Sequence, residues 1–308
     1  MAEAATPEEP MRGTDMRGMS TALRKIAKER GGVLRRAGRR RARGLPALPP
    51  SALVENGPSL IVATYNVHAC VGIDGRYDPA RIAAVLRELG ADIVSLQEVG
   101  GQRLGGQLPD QAAFLAEQTG LQIVAGPDRN YRHSRFGNAI LTRFPILAVR
   151  YIDLSVRGCE PRGALDVDLA IGERMASAGM AGGQVLRVVA THLGLRGGER
   201  RLQTSRLLGA LAGQGDETEP AGSTAILMMG DLNEWRGRRA GIRALDRELG
   251  HAPAPRTFPS WLPILQLDRI YAGPPALVRD VLVHRSPLAR LASDHLPLRA
   301  RLSWRDAA

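Results

Sequence analysis

Two polar side chains that can do chemistry, Asp231 and Asn233, follow a run of five apolar residues, 225–229. A run this short, stopped by Gly230, is typical of a buried strand that ends in a turn. Because side chains alternate along a strand, Asp231 and Asn233 leave its end on the same side. A carboxylate and an amide can hold a hard cation or a positioned water. The same pair also suits an Asx-type turn that only closes a core strand, so this stretch alone leaves both interpretations open.

Other predicted strands end in the same way. Apolar, β-branched runs predict buried strands over 60–67, 92–99 and 185–191. A polar residue lies at or directly after the end of each of these strands: Asn66, Glu98 and His192. Further along the chain, Asp268 and the pair Asp294-His295 lie next to two later predicted strands. In open α/β folds, ligand sites collect at strand ends. Turn preference alone is a poor explanation for so many polar strand ends in one chain.

Helices are needed to hold these strands in place. Apolar periodicity and capping residues predict them over 79–89, 110–119, 199–211 and 238–249. A polar, basic stretch over 128–135 and a proline-containing stretch over 257–267 are predicted loops. Many strands with only about four helices do not fit a purely alternating βαβ sheet. We therefore expect an α/β protein in which two sheets pack on each other with helices outside.

Positive charge is concentrated at the start of the 308-residue chain. The net charge is +11, and residues 1–50 hold twelve Lys or Arg against five Asp or Glu, which is +7. Residues 1–58 are predicted to be a disordered basic arm followed by a proline-rich linker, and residues 59–308 the folded, catalytic domain. A basic arm can contact an anionic membrane surface or nucleic acid, and it can equally be a solvated tail.

The sequence carries no obvious targeting signal. No run approaches about 18 consecutive apolar residues, and the first residues lack the apolar core of a signal peptide. The two cysteines, Cys70 and Cys159, make neither a disulfide framework nor a ligand cluster. We therefore expect a cytoplasmic monomer, with association at the membrane periphery as a further option.

Six short motifs resemble, in their order, those of the endonuclease/exonuclease/phosphatase superfamily, the DNase I-like metal-dependent phosphoesterases. They are Thr64-Tyr65-Asn66, Gln97-Glu98-Val99, Thr191-His192-Leu193, Gly230-Asp231-Leu232-Asn233, Leu267-Asp268-Arg269-Ile270 and Ser293-Asp294-His295. Each motif is weak alone, but the ordered set is specific. The resemblance implies a four-layer α/β sandwich, with two packed mixed β-sheets flanked by helices. It also implies hydrolysis of phosphate esters with Mg²⁺ or Mn²⁺.

The resemblance implies which residues bind the metal and the phosphate. Glu98 resembles the principal metal carboxylate of the superfamily. Asn66 resembles the residue near the metal or the phosphate, and Asp294 a further carboxylate close to the metal. Arg162 and Asn138 lie where superfamily members line the phosphate pocket.

Five residues are implied to carry the reaction itself. His295 resembles the histidine that activates water or stabilises the phosphorane, and Asp268 the carboxylate that orients its ring. Asp231 would orient or deprotonate the attacking water. Asn233 would hold a phosphate oxygen, and His192 would donate to a phosphoryl oxygen or to the leaving group.

These roles imply a divalent-metal-dependent phosphodiesterase that hydrolyses a phosphate ester by metal-assisted in-line attack of water. The stretches 64–68, 256–259 and 267–271 look most like a bacterial branch of small hydrolases. That branch is similar to the catalytic domain of the calcofluor-white-hypersensitive, GPI-lipid-remodelling proteins, which favours a lipid-linked or small phosphodiester. A DNA endonuclease, exonuclease or repair nuclease is an alternative, although aromatic residues make up only 4% of the chain and no long DNA-docking insert is present. A non-catalytic phosphate-binding module is a third hypothesis.

Overall fold

A computed structural model of the protein describes residues 59–100, 110–126, 129–131, 134–171, 185–212, 225–235, 240–273 and 276–304. The predicted arm and linker over 1–58 lie outside the described residues, so they stay predictions.

The described residues form twelve strands and five α-helices. The strands are β1 (Ser59–Asn66), β2 (Ile93–Val99), β3 (Gln122–Ala125), β4 (Arg129–Tyr131), β5 (Ser134–Thr142), β6 (Ile146–Asp153), β7 (Gly163–Ala170), β8 (Val185–His192), β9 (Ala225–Asp231), β10 (Asp268–Gly273), β11 (Ala276–Val283) and β12 (Leu298–Trp304). The helices are α1 (Pro79–Leu89), α2 (Gln111–Thr119), α3 (Gly197–Ala212), α4 (Ala240–Leu249) and α5 (Pro287–Ala292). One short 3₁₀ turn, His68–Cys70, follows β1.

The strands make two mixed sheets. Within the described residues, the first sheet has the order β11-β12-β1-β2-β5-β3, with β4 paired to β5, and the second has the order β10-β9-β8-β7-β6. Each sheet has one parallel pair, β1 with β2 and β8 with β9, and its other neighbours are antiparallel. The carboxyl ends of a parallel pair lie at one edge of a sheet, so each sheet presents two strand ends together.

Side-chain alternation sorts the apolar residues into three cores. In β1, Leu60 and Val62 face the other sheet, whereas Tyr65 faces the helices. In β9, Leu227 lies between the sheets and Met228 packs towards α3 and α4. Helices α1, α2 and α5 cover the first sheet, and α3 and α4 cover the second. The predicted four-layer α/β sandwich of two packed mixed sheets is therefore confirmed.

Two local elements differ from the sequence prediction. The stretch over 128–135 was predicted as a loop, but its residues 129–131 form β4 and pair antiparallel with the start of β5, residues 134–136. Helix α5 was not predicted; the Ser286 side chain accepts the Ala289 N–H at its start, where Pro287 occupies the first turn. Both elements are too short for hydrophobic periodicity to reveal them.

No helix in the described part of the chain is both long and apolar enough to span a bilayer. The two cysteines, Cys70 and Cys159, are free.

Candidate active site

The site forms where strand ends of the two sheets meet. The Asn66 amide at the end of β1 donates to Asp231 Oδ2 at the end of β9, across the sheets, with a separation of 3.2 Å. Asp268, the first residue of β10, is opposite Asp231 in the antiparallel register. The structure thus brings together side chains that are far apart in the sequence: Asn66, Glu98, His192, Asp231, Asn233, Asp268 and His295.

Gly230 permits the close approach of β8 and β9 at this point. A Cβ atom there would lie 1.9 Å from the Thr191 carbonyl oxygen and 2.9 Å from the carbon of that carbonyl. Both are main-chain atoms, which cannot move aside as a flexible side chain can. Glycine therefore keeps His192 and Asp231 beside each other at the ends of the two strands, where they are register partners.

Asp231 is the centre of the hydrogen-bond network. Its Oδ1 accepts the backbone N–H of Asn233 at 2.9 Å, and its Oδ2 lies 3.2 Å from Asn66 Nδ2. The same Oδ2 lies 3.5 Å from His192 Nε2 and 3.6 Å from His295 Nε2. The side chain is almost fully buried, and burial raises its pKa to about 6, against the opposing effect of the His295 charge. Most of the carboxyl is therefore ionised at neutral pH, with a basicity above that of an ordinary aspartate.

His295 is oriented from its other nitrogen. Asp268 Oδ2 lies 3.1 Å from His295 Nδ1, and the same oxygen accepts the buried hydroxyl of Thr257. The ring of Phe258 packs against the imidazole with centroids 4.8 Å apart. Burial lowers the pKa of His295, but the charges of Asp268 and Asp231 outweigh this and raise it to about 10. The ring is therefore a fixed imidazolium at neutral pH.

His192 has the opposite character. Its Nδ1 lies 3.2 Å from Arg162 Nη1 and its Nε2 lies 3.0 Å from Asn233 Nδ2, so both ring nitrogens face hydrogen-bond donors. Burial, reinforced by the charges of Arg162 and His295, lowers the pKa of His192 well below its usual 6.5. The site therefore pairs one neutral histidine with one charged histidine.

Glu98 is placed by an irregularity in β2. The pairing of β2 with β5 shifts register between Leu96 and Val99, and Glu98 has a left-handed φ of +57°. Bulges and left-handed non-glycine residues are concentrated at functional sites, where they re-aim a side chain. Here the bulge brings Glu98 Oε1 within 3.0 Å of Asn66 Nδ2. Asn66 Oδ1 accepts the backbone N–H of His68 at 3.1 Å, so the Asn66 amide nitrogen is turned towards the carboxylates of Glu98 and Asp231.

Two groups of acidic side chains could hold a metal ion. Ligand atoms of Asp231, Asp268 and His295 lie within 4.8 Å of one another. However, both ring nitrogens of His295 face carboxylates, so the ring is placed to donate to them. Glu98 and Asp231 lie on either side of the Asn66 amide and offer the oxygen donors that a hard divalent cation prefers. This second group fits Mg²⁺ or Mn²⁺ better.

A small, open cleft lies beside these residues. Glu98, Asn138, Arg162 and His192 line it. The Asn138 amide donates to the Gly163 carbonyl at 2.9 Å. Arg162 also lies 2.9 Å from Glu160 Oε2, and its buried Nε has no hydrogen-bond partner among the described residues. A cationic side chain with donor capacity in an acidic cleft suits an anionic ligand.

The structure places Asp294 at the edge of this network. Its carboxylate lies 3.9 Å from His68 Nδ1, and its side chain is about one-third exposed. It is not part of the group formed by Asp231, Asp268 and His295 within the described residues. The contacts of the Asp294 side chain are with His68 and Ser293, and its predicted role as a metal ligand stays a prediction.

Sequence reasoning assigned no role to three residues that the structure brings to the site. Thr257 and Phe258 contact Asp268 and His295, and Glu160 pairs with Arg162. Burial raises the pKa of Glu160, and the neighbouring charge of Glu98 adds to this. The available signal was the position of Thr257 and Phe258 in a predicted loop directly before β10, since loop residues beside strand ends often support sites.

Comparison with known proteins agrees with this geometry. A model of the Endonuclease/Exonuclease/phosphatase family matches residues 63–295. The chain belongs to this family. Members of the family are hydrolases of phosphate esters, and all six motifs singled out in the sequence fall in the matched range.

Among the relatives of this family member is YbhP, an uncharacterised protein of Escherichia coli (strain K12). It is 31% identical over 265 residues, which is 79% of this chain and 96% of YbhP. Two solved structures share the fold. An endonuclease/exonuclease/phosphatase from Beutenbergia cavernae is 24% identical, with a TM-score of 0.59, over 80% of this chain and 72% of that one. One from Bacteroides vulgatus is 17% identical, with a TM-score of 0.63, over 80% of this chain and 99% of that one.

Proposed function

We propose that the protein is a divalent-metal-dependent phosphodiesterase that hydrolyses a phosphate ester by in-line attack of water. The observation that carries this proposal is the position of the Asp231 carboxylate. One buried carboxylate contacts a charged histidine, a neutral histidine and the amide that leads to Glu98. A base, two donors and a cation-binding carboxylate within one network are the groups that metal-assisted hydrolysis needs.

Asp231 would orient the attacking water and accept its proton. Its raised pKa of about 6 makes it a stronger base than an ordinary aspartate, while leaving it mostly ionised at neutral pH. The imidazolium of His295, held by Asp268, would stabilise the negative charge that develops on the phosphorane. Because Asp268 acts through His295, it is a positioning residue.

Neutral and cationic donors would bind the phosphate oxygens. The neutral ring of His192 lies beside the Asn233 amide, and both would donate to a phosphoryl oxygen. Arg162 and Asn138 line the adjacent cleft and would bind the non-reacting part of the phosphate.

Mg²⁺ or Mn²⁺ is the proposed cofactor. Glu98 would hold it, with Asn66 beside the ion and Asp294 as a more distant carboxylate. Asp231 faces the same amide from the other side, and there it would act on the attacking water. When bound, a hard divalent ion neutralises charge on the scissile phosphate.

The proposal is tested with a chromogenic phosphodiester, bis(p-nitrophenyl) phosphate. Replacing Asp231→Asn keeps the shape of the side chain but removes the base, and we expect kcat/KM to fall by roughly 10²–10⁴-fold. Asp280→Asn is a matched control, because Asp280 lies on β11 and pairs with Arg301 outside the site. Unchanged turnover in Asp231→Asn would overturn the assignment, and equal losses in both variants would point to a general effect of removing an aspartate.

We further propose that the substrate is a small or lipid-linked phosphodiester, handled by a cytoplasmic monomer that associates with membranes peripherally. The support is that the inserts between the sequence motifs are short and that few aromatic side chains are available for stacking on bases. A panel of plasmid, abasic duplex DNA, phosphoinositides and phospholipid, each with and without chelator, tests this ranking. Preferential cleavage of DNA would instead favour the nuclease, to which the basic arm would bring the phosphate backbone. Phosphate binding without turnover of any substrate would favour a non-catalytic module.

A further inference from the structure

Four large apolar side chains are exposed on two loops and on helix α5, next to the candidate active site. We call Ile73, Trp261, Leu262 and Leu291 the apolar rim. Their exposed fractions are 46%, 63%, 53% and 36%. Single exposed apolar residues are ordinary, but a contiguous group at the surface marks an interaction site.

Hydrogen bonds show that the three segments carrying the rim are adjacent to one another. The Ile73 N–H donates to the Leu291 carbonyl at 3.1 Å. Ser260, which precedes Trp261, is joined twice to Arg290, which precedes Leu291. The Ser260 hydroxyl donates to the Arg290 carbonyl at 3.0 Å, and Arg290 Nη1 donates to the Ser260 carbonyl at 3.2 Å.

The loops of the rim are anchored to the site itself. Ser260 N–H donates to the Asp294 carbonyl at 2.7 Å, directly before His295 in the sequence. Phe258 packs on the His295 ring. Ser260 and Phe258 are buried, while Trp261 and Leu262 that follow are exposed. The buried residues therefore fix the loop so that the two most exposed rim residues, Trp261 and Leu262, stay in solvent.

Arginine side chains flank the rim. Arg76 and Arg256 are exposed, and Arg290 is half-buried. The acidic residue nearest to Ile73 in the sequence, Asp74, is already hydrogen-bonded to Arg81 by both of its oxygens. A rim of tryptophan and aliphatic tips with arginines beside it matches the interface of a bilayer, where apolar groups meet anionic head groups.

We propose that the apolar rim docks the protein on the surface of a lipid bilayer that contains anionic lipid. Trp261 and Leu262 enter the boundary between head groups and acyl chains, and the arginines contact lipid phosphates. The tips come from two loops and helix α5. This docking deepens the peripheral membrane association proposed above and rests on that part of the proposed function. It does not depend on hydrolysis, so its failure is distinguishable from a failure of the proposed phosphodiesterase activity.

The test is flotation of the full chain with vesicles of phosphatidylcholine and phosphatidylglycerol. At about 1 M salt the Debye length is about 3 Å, so attraction through the basic N-terminal residues is screened while apolar docking persists. We expect wild-type protein to float with the vesicles. The double variant Trp261→Ala/Leu262→Ala is expected to bind about tenfold or more weakly.

Two further variants keep the result interpretable. Leu147→Ser is a matched control, since Leu147 is 57% exposed but is not part of the rim. It lies near the start of β6, whereas the other end of that strand pairs with Gly163, which lines the cleft. Trp261→Phe keeps an apolar ring and should still float, but the vesicle-induced blue shift of tryptophan fluorescence should be lost. Wild-type protein that stays unbound in high salt would overturn the proposal. Equal binding by the double variant and wild type, or an equal loss in Leu147→Ser, would do the same.

Discussion

Replacing Asp166→Asn in β7 is expected to destabilise the fold strongly. The Asp166 side chain is fully buried, and its oxygens lie 2.9 and 2.7 Å from Arg187 and 3.2 Å from two nitrogens of Arg150. Arg187 lies in β8, the strand that ends at His192, and is itself only 7% exposed. The ion pair between Asp166 and Arg187 therefore links β7 and β8 in the second sheet, and β8 ends at the candidate active site.

The size of the loss in unfolding free energy depends on which arginine loses its ionic partner. Arg150 keeps Asp168, at 2.8 and 2.7 Å, when Asp166 is replaced. Among the described residues, Arg187 is left with neutral acceptors only: the amide oxygen of the new asparagine and the Leu211 carbonyl, 3.2 Å from Nη1. Removing one partner of a buried ion pair costs about 3–5 kcal/mol, because a buried charge is left uncompensated. Asp168→Asn is the control, and since its partner Arg150 is partly exposed, it should cost at most about 1 kcal/mol.

The effect should also depend on pH. Burial raises the pKa of Asp166, but the two guanidinium groups outweigh this and hold the pKa below its usual range. A carboxyl with a lowered folded-state pKa stabilises the fold above its unfolded pKa of about 3.9 and loses this contribution as the pH falls through the folded value. The difference in unfolding free energy between wild type and Asp166→Asn should therefore be full at neutral pH and shrink below about pH 4.

Urea denaturation at a series of pH values measures this difference. Equal destabilisation by Asp166→Asn and Asp168→Asn at neutral pH would refute the buried-charge argument. The structure pairs the buried Arg187 with Asp166, whereas Asp168 pairs with the partly exposed Arg150. A difference that stays constant down to pH 2 would refute the linkage argument.

Two other substitutions test the geometry of the site. Gly230→Ala would bring Cβ within 1.9 Å of the Thr191 carbonyl oxygen and should destabilise the fold by at least about 1–3 kcal/mol in thermal or urea unfolding. Gly209→Ala in α3 has no neighbour within 4 Å and should be neutral or stabilising, so similar losses in both would contradict the packing argument. Thr257→Val removes the hydroxyl that positions Asp268 and should lower kcat about tenfold without changing KM, the equivalent of one hydrogen bond to a charged group. Thr257→Ser should restore the rate, and a serine variant as slow as the valine variant would rule out the hydrogen bond as the cause.

The layered fold was predictable because its signals are local. Apolar runs that end at Asn66, Glu98 and Asp231 predicted strands β1, β2 and β9, and the ratio of strands to helices predicted two packed sheets. The short pairing of β4 and the helix α5 were missed, since neither is long enough to show a periodic pattern.

The contacts within the site were less predictable, because they depend on tertiary placement. The sequence nominated both His192 and His295 but could not indicate that burial beside Arg162 keeps the first neutral while two carboxylates keep the second charged. Nor could the sequence indicate that the Thr257 hydroxyl donates to Asp268, because a hydroxyl in a loop before a strand has many possible partners. The Glu98 bulge depends on how β2 pairs with β5, which no local pattern encodes.

The most direct test of the central claim is a titration of divalent metal against hydrolysis. Wild-type protein is freed of metal with chelator, and turnover of bis(p-nitrophenyl) phosphate is followed while Mg²⁺ or Mn²⁺ is added back. We predict that turnover disappears with chelator and returns with metal. Glu98→Gln should require at least about tenfold more metal for half-maximal rate. Turnover that persists in chelator, or a Glu98→Gln variant with the metal dependence of wild type, would contradict the claim that Glu98 holds the metal for this hydrolysis.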